Sequence, residues 1–381
     1  IRSTRPSVLR ILASLFQAFN KPAIGASSWC MREHCAPGRT LRRSCAIVLM
    51  SADSALNEAE RTITIILHQA HPRHRPPPGM WTAEVPERVT VAKEALLASA
   101  FNEQIKWIFS MQDLSQTDDD IAAALKLVHT EEHLKEVQEV SKTGGGFDSD
   151  TYCAPGSWEV MLDGTKAWCE AVSLAAGGAG PAFALCRPAG HHACRDAAMG
   201  FGLVNFAAAA VAAHLDAKPG SRVAILDWDV HYGNGIADIF REESRIRYCS
   251  LHEEGGFADS GIDESNRKPS GNLLRLPLPG CSGSEAYLSA LRERALPFLF
   301  GDDDRRPELL LICAGYDALD GDPLASMTLT PDDFYRSVRM IVDDFGFPPE
   351  RIALGLEGGY LLDKDMGMPA GVVKTCGALL Q

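Results

Sequence analysis

The sequence predicts an α/β fold, a single domain with a central, mostly parallel sheet flanked by helices on both faces. Two observations carry that expectation. Five near-continuous apolar runs have strand length and no polar alternation: 182–186 (AFALC), 222–228 (RVAILDW), 246–251 (IRYCSL), 308–313 (ELLLIC) and 352–356 (IALGL). Strands buried on both faces read this way, because helices cover a parallel sheet on either side. Between and before these runs, residues 87–101, 157–176 and 204–217 place apolar side chains at helical spacing. A third observation concerns chemistry. Clusters of polar residues follow the carboxyl ends of the runs, the edge at which open α/β sheets bind ligands.

Ahead of this pattern the chain has a different character. Its first 50 residues hold Arg2, Arg5, Arg10, Lys21, Arg32, Arg39, Arg42 and Arg43, with Glu33 the one acid. Val8, Leu9, Ile11, Leu12, Leu15 and Phe16 suit a short basic amphipathic helix. An acid-poor start rich in Arg and Ser is similar to an organelle transit peptide, and a disordered extension is the competing reading. Cys30, His34, Cys35 and Cys45 match no common zinc-finger spacing. Residues 71–79 (HPRHRPPPG) read as a Pro-rich linker. The expected organisation is therefore an extension over 1–80 and one catalytic domain over 81–381.

Composition narrows the function classes. A hydrophobic content of 46% over 381 residues is enough for a full core. The net charge of -13 and pI near 5.3 argue against nucleic-acid binding, which needs a basic face. The same acidity suits attraction of a basic substrate such as a lysine-rich peptide. Eleven cysteines, an odd number without C-x-x-C pairs, read as reduced thiols of an intracellular protein in cytoplasm or nucleus. No apolar stretch reaches membrane-spanning length, so no membrane association is expected.

Five segments carry the chemistry: 187–193 (RPAGHHA), 200–202 (GFG), 227–235 (DWDVHYGNG), 314–324 (AGYDALDGDPL) and 357–360 (EGGY). Asp229 and His231 are two residues apart, and on a strand such residues point to the same face. Two ligands do not hold a metal, and Asp322 is the best third candidate, with Asp317 and Asp320 in reserve. Two carboxylates and an imidazole leave zinc an open position. His191 and His192 titrate near neutrality, as proton transfer at a metal site needs, and Gly190 permits the tight turn that aims both at one cavity. Asp227 is placed to orient an imidazole. Tyr360, after Gly358-Gly359, can donate to an oxyanion.

As a set, these segments resemble the histone deacetylase family, of the arginase/deacetylase fold. RPAGHHA resembles the family's RPPGHHA, DWDVHYGNG its D-x-D-V-H-H-G-N-G, AGYDALDGDPL its AGFDAxxxDPL, and LEGGY is shared, in family order across about 81–381. The resemblance implies one catalytic zinc on Asp229, His231 and Asp322, with His192 as general base and acid and His191 as its electrostatic partner. It implies that Tyr360 polarises the carbonyl, Asp227 supports His191, and Asn234 supports His192. Phe201, with Gly200 and opposite Phe257, is expected to line the channel for the acyl-lysine stem. A structural potassium is implied near Asp227, Ser250 and Leu251. The implied substrate is an acetylated lysine peptide or protein, histone tails included.

The departures are local. Ala189 replaces a proline, Gly202 stands where a cysteine is common, and Tyr232 replaces the second His of D-V-H-H, which is not a ligand. Asn234 in place of Asp leans toward the class II-like branch. The early H-P-E-x-P-x-R motif is eroded to Pro86-Glu87-Arg88, and the entrance acid is Asp148 or Asp150. Alternatives are a deacetylase of acetylpolyamines or acetylated arylamines, and a non-catalytic scaffold that binds acyl-lysine. A binuclear arginase-type site is disfavoured because Gly233 stands where its bridging Asp belongs.

Overall fold

The computed structural model describes residues 61–114, 116–258, 271–301 and 306–381. The basic stretch at the start of the chain and the Cys30, His34, Cys35 and Cys45 grouping lie outside the described residues. The strands are β1 (Ile63–Ile66), β2 (Ile105–Ile108), the short pair β3 (Gly145–Gly146) and β4 (Tyr152–Cys153), β5 (Ala182–Ala184), β6 (Val223–Asp227), β7 (Ile246–Glu253), β8 (Leu273–Leu278), β9 (Leu309–Ala314) and β10 (Ile352–Leu356). Eight of them form one sheet in the order β2-β1-β5-β10-β9-β6-β7-β8, and every pairing in it is parallel.

Alternate residues of the central strands enter two separate cores, as a period of two requires. Phe183, Ala224, Leu226, Leu310, Ile312 and Leu354 face one side, with Val89, Ala92 and Leu96 of helix α1 (Glu87–Leu97) and Val372, Cys376 and Leu379 near the chain's end. Ala182, Ala184, Ile225, Leu309, Leu311 and Ala353 face the other, packed with Trp168, Val172, Phe206 and Ala210. Trp168 and Val172 belong to α2 (Ser157–Gly177), Phe206 and Ala210 to α3 (Phe206–Ala217). In α3, all of the first six residues are small or apolar and buried, which lets the helix lie close against the sheet. Both faces are thus covered, and the expected fold class is the one observed.

One boundary moves. The domain was expected to begin at 81, yet β1 pairs with both β2 and β5 inside the sheet. The Pro-rich segment after β1 is held at His71 and His74, whose carbonyls accept from Arg187 Nη1 at 2.9 and 2.5 Å. Buried backbone acceptors satisfied by a buried guanidinium make this a structural loop of the domain. The domain therefore includes β1 and the segment that follows it, ahead of the expected start at 81.

Candidate active site

The site forms where β5, β6, β9 and β10 end. After Asp227 the chain leaves the sheet, so Asp229 and His231 do not share a strand face. They meet because the chain folds back on itself. His231 N donates to Asp229 Oδ1 at 2.9 Å, and the imidazole Nδ1 lies 3.1 Å from the same oxygen. From the turn after β9, Asp317 brings Oδ2 to 3.2 Å from His231 Nδ1, while its Oδ1 accepts Val230 N at 2.9 Å. From the turn after β10, Gly358 N donates to Asp229 Oδ2 at 2.7 Å.

Asp229, His231 and Asp317 thus offer three ligand atoms within 4.8 Å of one another. The residues fit a divalent ion on three counts. Ligand atoms about 2.0–2.2 Å from a tetrahedral ion lie roughly 3.3–3.6 Å apart, close to the 3.1 and 3.2 Å found here. Asp317 Oδ2 is buried and accepts no hydrogen bond among the described residues. Burial, reinforced by Asp229 and opposed by His231, pushes the Asp317 carboxyl up to about 7, so the crowded acids call for a cation. Glycine is required beside this cradle. A Cβ on Gly358 would lie 2.0 Å from Asp317 Oδ2 and 2.5 Å from Asp229 Oδ2.

Asp322, the expected third ligand, is corrected to Asp317. The Asp322 carboxylate is already committed to backbone amides, accepting from Tyr360 N at 2.7 Å, Leu361 N at 3.1 Å and Leu324 N at 3.0 Å. Asp322 N closes a turn onto Leu319 O, and Asp322 is not among the three grouped ligand residues. Its part is to bind the β9 turn to the turn that presents Tyr360.

The two histidines occupy opposite electrostatic environments. His191 Nδ1 lies 3.0 Å from Asp227 Oδ2, an oxygen that also accepts the Tyr248 hydroxyl at 2.9 Å. Burial disfavours its charge, but Asp229, Asp227 and Glu357 outweigh burial and raise it to about 10. His192 Nδ1 meets Asn234 Oδ1 at 2.8 Å. Burial, then His191 and His231, hold it well below the usual imidazole range. Asn234 Nδ2 points at the sulfurs of Cys194 and Met199, which fixes its oxygen toward His192. Nδ1 of His192 must then donate, leaving Nε2 as the acceptor. Neighbouring groups driven apart in this way are suited to different tasks.

A cavity of about 340 Å³ opens onto His192 and His231, and Phe201, Phe257, Leu324 and Tyr360 are among its walls. Phe257 stands edge-on to His192 with ring centroids 4.8 Å apart, and Phe201 lies 5.7 Å from the Tyr360 ring. Phe201 has φ of 68° and Gly200 has φ of 55°. A Cβ on Gly200 would strike His192 at 2.5 Å, so the loop passes close only because glycine is there. Burial pushes the Tyr360 hydroxyl well above the usual phenol range, against the pull of Arg88, so it stays a donor. At the rim, Asp150 lines the cavity. Asp148 instead accepts Asp150 N and Thr151 N at 3.1 and 2.6 Å, so of the two candidate entrance acids Asp150 is the one that lines the cavity. Ser250 pairs in register with Asp227 across β6 and β7, with Leu251 next to it, and its hydroxyl sits 2.9 Å from His252 Nδ1.

Sequence reading missed Glu84 and Glu357. Glu84, fully buried, takes the Arg187 guanidinium in a two-pronged pair, with Nε to Oε1 at 2.7 Å and Nη2 on Oε2. Arg88 contacts Glu84 and donates to the carbonyls of Gly359 and Glu357 at 2.8 and 2.5 Å, and its guanidinium lies 4.6 Å over the Tyr360 ring. Glu84-Val85-Pro86-Glu87-Arg88 thus keeps the E-x-P-x-R core of the motif that looked eroded. Glu357 Oε2 accepts Gly190 N and His191 N at 2.6 and 3.2 Å and fixes the backbone of the histidine pair.

Comparison with known proteins agrees with this geometry. Residues 82–375 match the model of the histone deacetylase domain. An uncharacterised protein of Synechocystis is 35% identical, covering 82% of this chain and 96% of its own length. The histone deacetylase-like amidohydrolase of Pseudomonas aeruginosa is 34% identical over 75% of this chain and 74% of its own. Human polyamine deacetylase HDAC10 is 32% identical over 74% of this chain, but over only 42% of its own. Among solved structures, the HDA15 HD domain superposes with a TM-score of 0.73 at 28% identity, covering 84% of this chain and 90% of that one.

Proposed function

The chain belongs to the histone deacetylase family, and from that premise we propose that it hydrolyses the acyl amide of acetyl-lysine in proteins, histone tails included, with one catalytic zinc. The observation that carries the reading is the convergence of Asp229, His231 and Asp317 with His192 and Tyr360 about one aromatic-walled cavity. Phe201 and Phe257 enclose the apolar stem of the substrate and exclude water from the scissile amide. When bound by the triad, a divalent ion polarises the carbonyl and lowers the pKa of water toward neutrality. His192, neutral and held through Nδ1 by Asn234, takes a proton from the attacking water at Nε2 and returns it to the departing amine. His191, held by Asp227, keeps positive charge beside the reacting centre. Tyr360 donates a hydrogen bond from its hydroxyl to the carbonyl oxygen as negative charge develops.

The same proposal includes a structural potassium near Asp227, Ser250 and Leu251. Asp227 Oδ1 accepts Asp229 N and keeps a second lone pair, which joins the Ser250 hydroxyl and backbone carbonyls as the available ligands. An intracellular location is supported by the described cysteines, all of which are free thiols. No helix among the described residues is long and apolar enough to cross a membrane. A second reading, deacetylation of acetylpolyamines, is favoured by the likeness to the polyamine enzyme. Side-by-side turnover of acetyl-lysine peptides and acetylpolyamines tests the pair. Turnover of peptides alone upholds the first reading, and turnover of polyamines alone replaces it with the second.

A further inference from the structure

We propose that Trp81 and Asp150 form a subsite at the cavity mouth for a cationic group lying just beyond the substrate's acyl-amine stem, an inference that rests on the cavity being a deacetylase channel. Trp81 lines the cavity and yet is 78% exposed. An indole contributes to folding by burying its ring, and this one buries little of it. Its placement is nonetheless defined. Pro76, Pro77 and Pro78 restrict the backbone before it, and Met80 N closes a turn onto Pro77 O at 3.1 Å through Gly79 at φ of 86°. Arg187 clamps the whole loop, gripping the carbonyls of His71 and His74 on one side of Trp81 and the Glu84 carboxylate on the other.

The acid is tied to the same buried network. Tyr152, two residues after Asp150, donates to Glu84 Oε2 at 3.0 Å, and Thr151 Oγ1 accepts Phe201 N at 3.1 Å. The backbone that carries the indole, the segment that carries the carboxylate and the channel ring are therefore tied to one network around one opening, which limits the ordering needed on binding. An exposed indole face lining the same opening as a carboxylate recognises positive charge. A neutral aromatic group would gain nothing from Asp150, and the net charge of -13 disfavours an anion. A lysine stem spans four methylenes from amide to backbone, so a neighbouring basic side chain of a peptide lies at this mouth. An acylated polyamine with the same spacer puts a secondary ammonium there. The shared chemistry is a cation over Trp81.

The test uses the zinc-loaded protein and two matched pairs. One pair is an acetyl-lysine peptide followed by arginine or by its neutral isostere citrulline. The other is an acetylpolyamine or an acetylated monoamine of equal stem length. Calorimetric Kd and kcat/KM are measured for wild type, Trp81→Ala, Trp81→Phe and Asp150→Asn. Wild type is expected to favour the cationic member of at least one pair, and the pair that shows it identifies the source of the cation. Trp81→Ala should shrink that ratio by roughly two- to fivefold, Trp81→Phe should keep most of it, and Asp150→Asn should remove most of its salt dependence. A ratio unchanged in Trp81→Ala, or no charge preference in wild type, overturns the subsite. Because binding is read apart from turnover, hydrolysis without charge preference sinks the subsite alone. Charge-selective binding without hydrolysis of any substrate sinks the deacetylase reading alone.

Discussion

Exchanging Asp317 and Asp322 in turn separates metal binding from the positioning of Tyr360. Asp317→Ala removes one of three ligand atoms, and the remaining Asp229 and His231 cannot hold an ion firmly. Zinc content should fall from about one per chain to near zero, and turnover with it. Asp322→Ala leaves the triad whole but strips three backbone amides, those of Leu324, Tyr360 and Leu361, of their acceptor. Hydrogen bonds to a charged group contribute about 1.5–3 kcal/mol each. They share one carboxylate and water can replace part of the loss, so roughly 3–5 kcal/mol is the expected sum. The Tyr360 turn should loosen, Tm should fall by several degrees, and kcat should drop while zinc stays near one per chain. Circular dichroism with elemental analysis of each dialysed variant reads both quantities. Zinc lost from Asp322→Ala and kept in Asp317→Ala would refute the ligand assignment.

Three further outcomes follow from the same geometry. Tyr360→Phe should lower kcat on an acetyl-lysine peptide by roughly 10²- to 10³-fold with little change in Tm, and wild-type turnover would remove the hydroxyl from the mechanism. His192→Ala should cost about 10²- to 10⁴-fold in kcat with zinc content near normal, and His191→Ala less; the reverse order in steady-state kinetics would exchange their roles. Burial, reinforced by Asp148, raises Asp150 to about 6, so its charge is present above that pH and lost below it. Preference for a cation-flanked peptide should therefore decline between about pH 8 and pH 5, and the Asp150→Asn variant should show no such decline; equal pH profiles would contradict the assignment.

Much of this was legible because buried parallel strands announce themselves. The runs at 222–228, 308–313 and 352–356 correspond to β6, β9 and β10, which carry the site. β1 was not legible. Four residues beside a Pro-rich segment look like a linker until Arg187, more than a hundred positions away, is seen gripping that segment. Glu84 was hidden for the same reason, since a buried acid is recognisable only by its distant partner. The pairing of Asp229 with His231 was expected from strand alternation, whereas a fold-back after the strand end produces it. The segment Asp317-Ala-Leu-Asp320-Gly-Asp322 offers three acids past one strand, and spacing does not choose among them. The choice lies in the turn geometry: Asp317 faces His231 and Asp322 faces the amide of Tyr360.

Stepwise zinc titration of the metal-free protein, following acetate release from an acetyl-lysine peptide, tests the central claim most directly. The account predicts no turnover without metal and activity that rises linearly and saturates at one equivalent. Saturation at two equivalents, or one tightly bound zinc with no acetate released from any acetylated substrate, would contradict it.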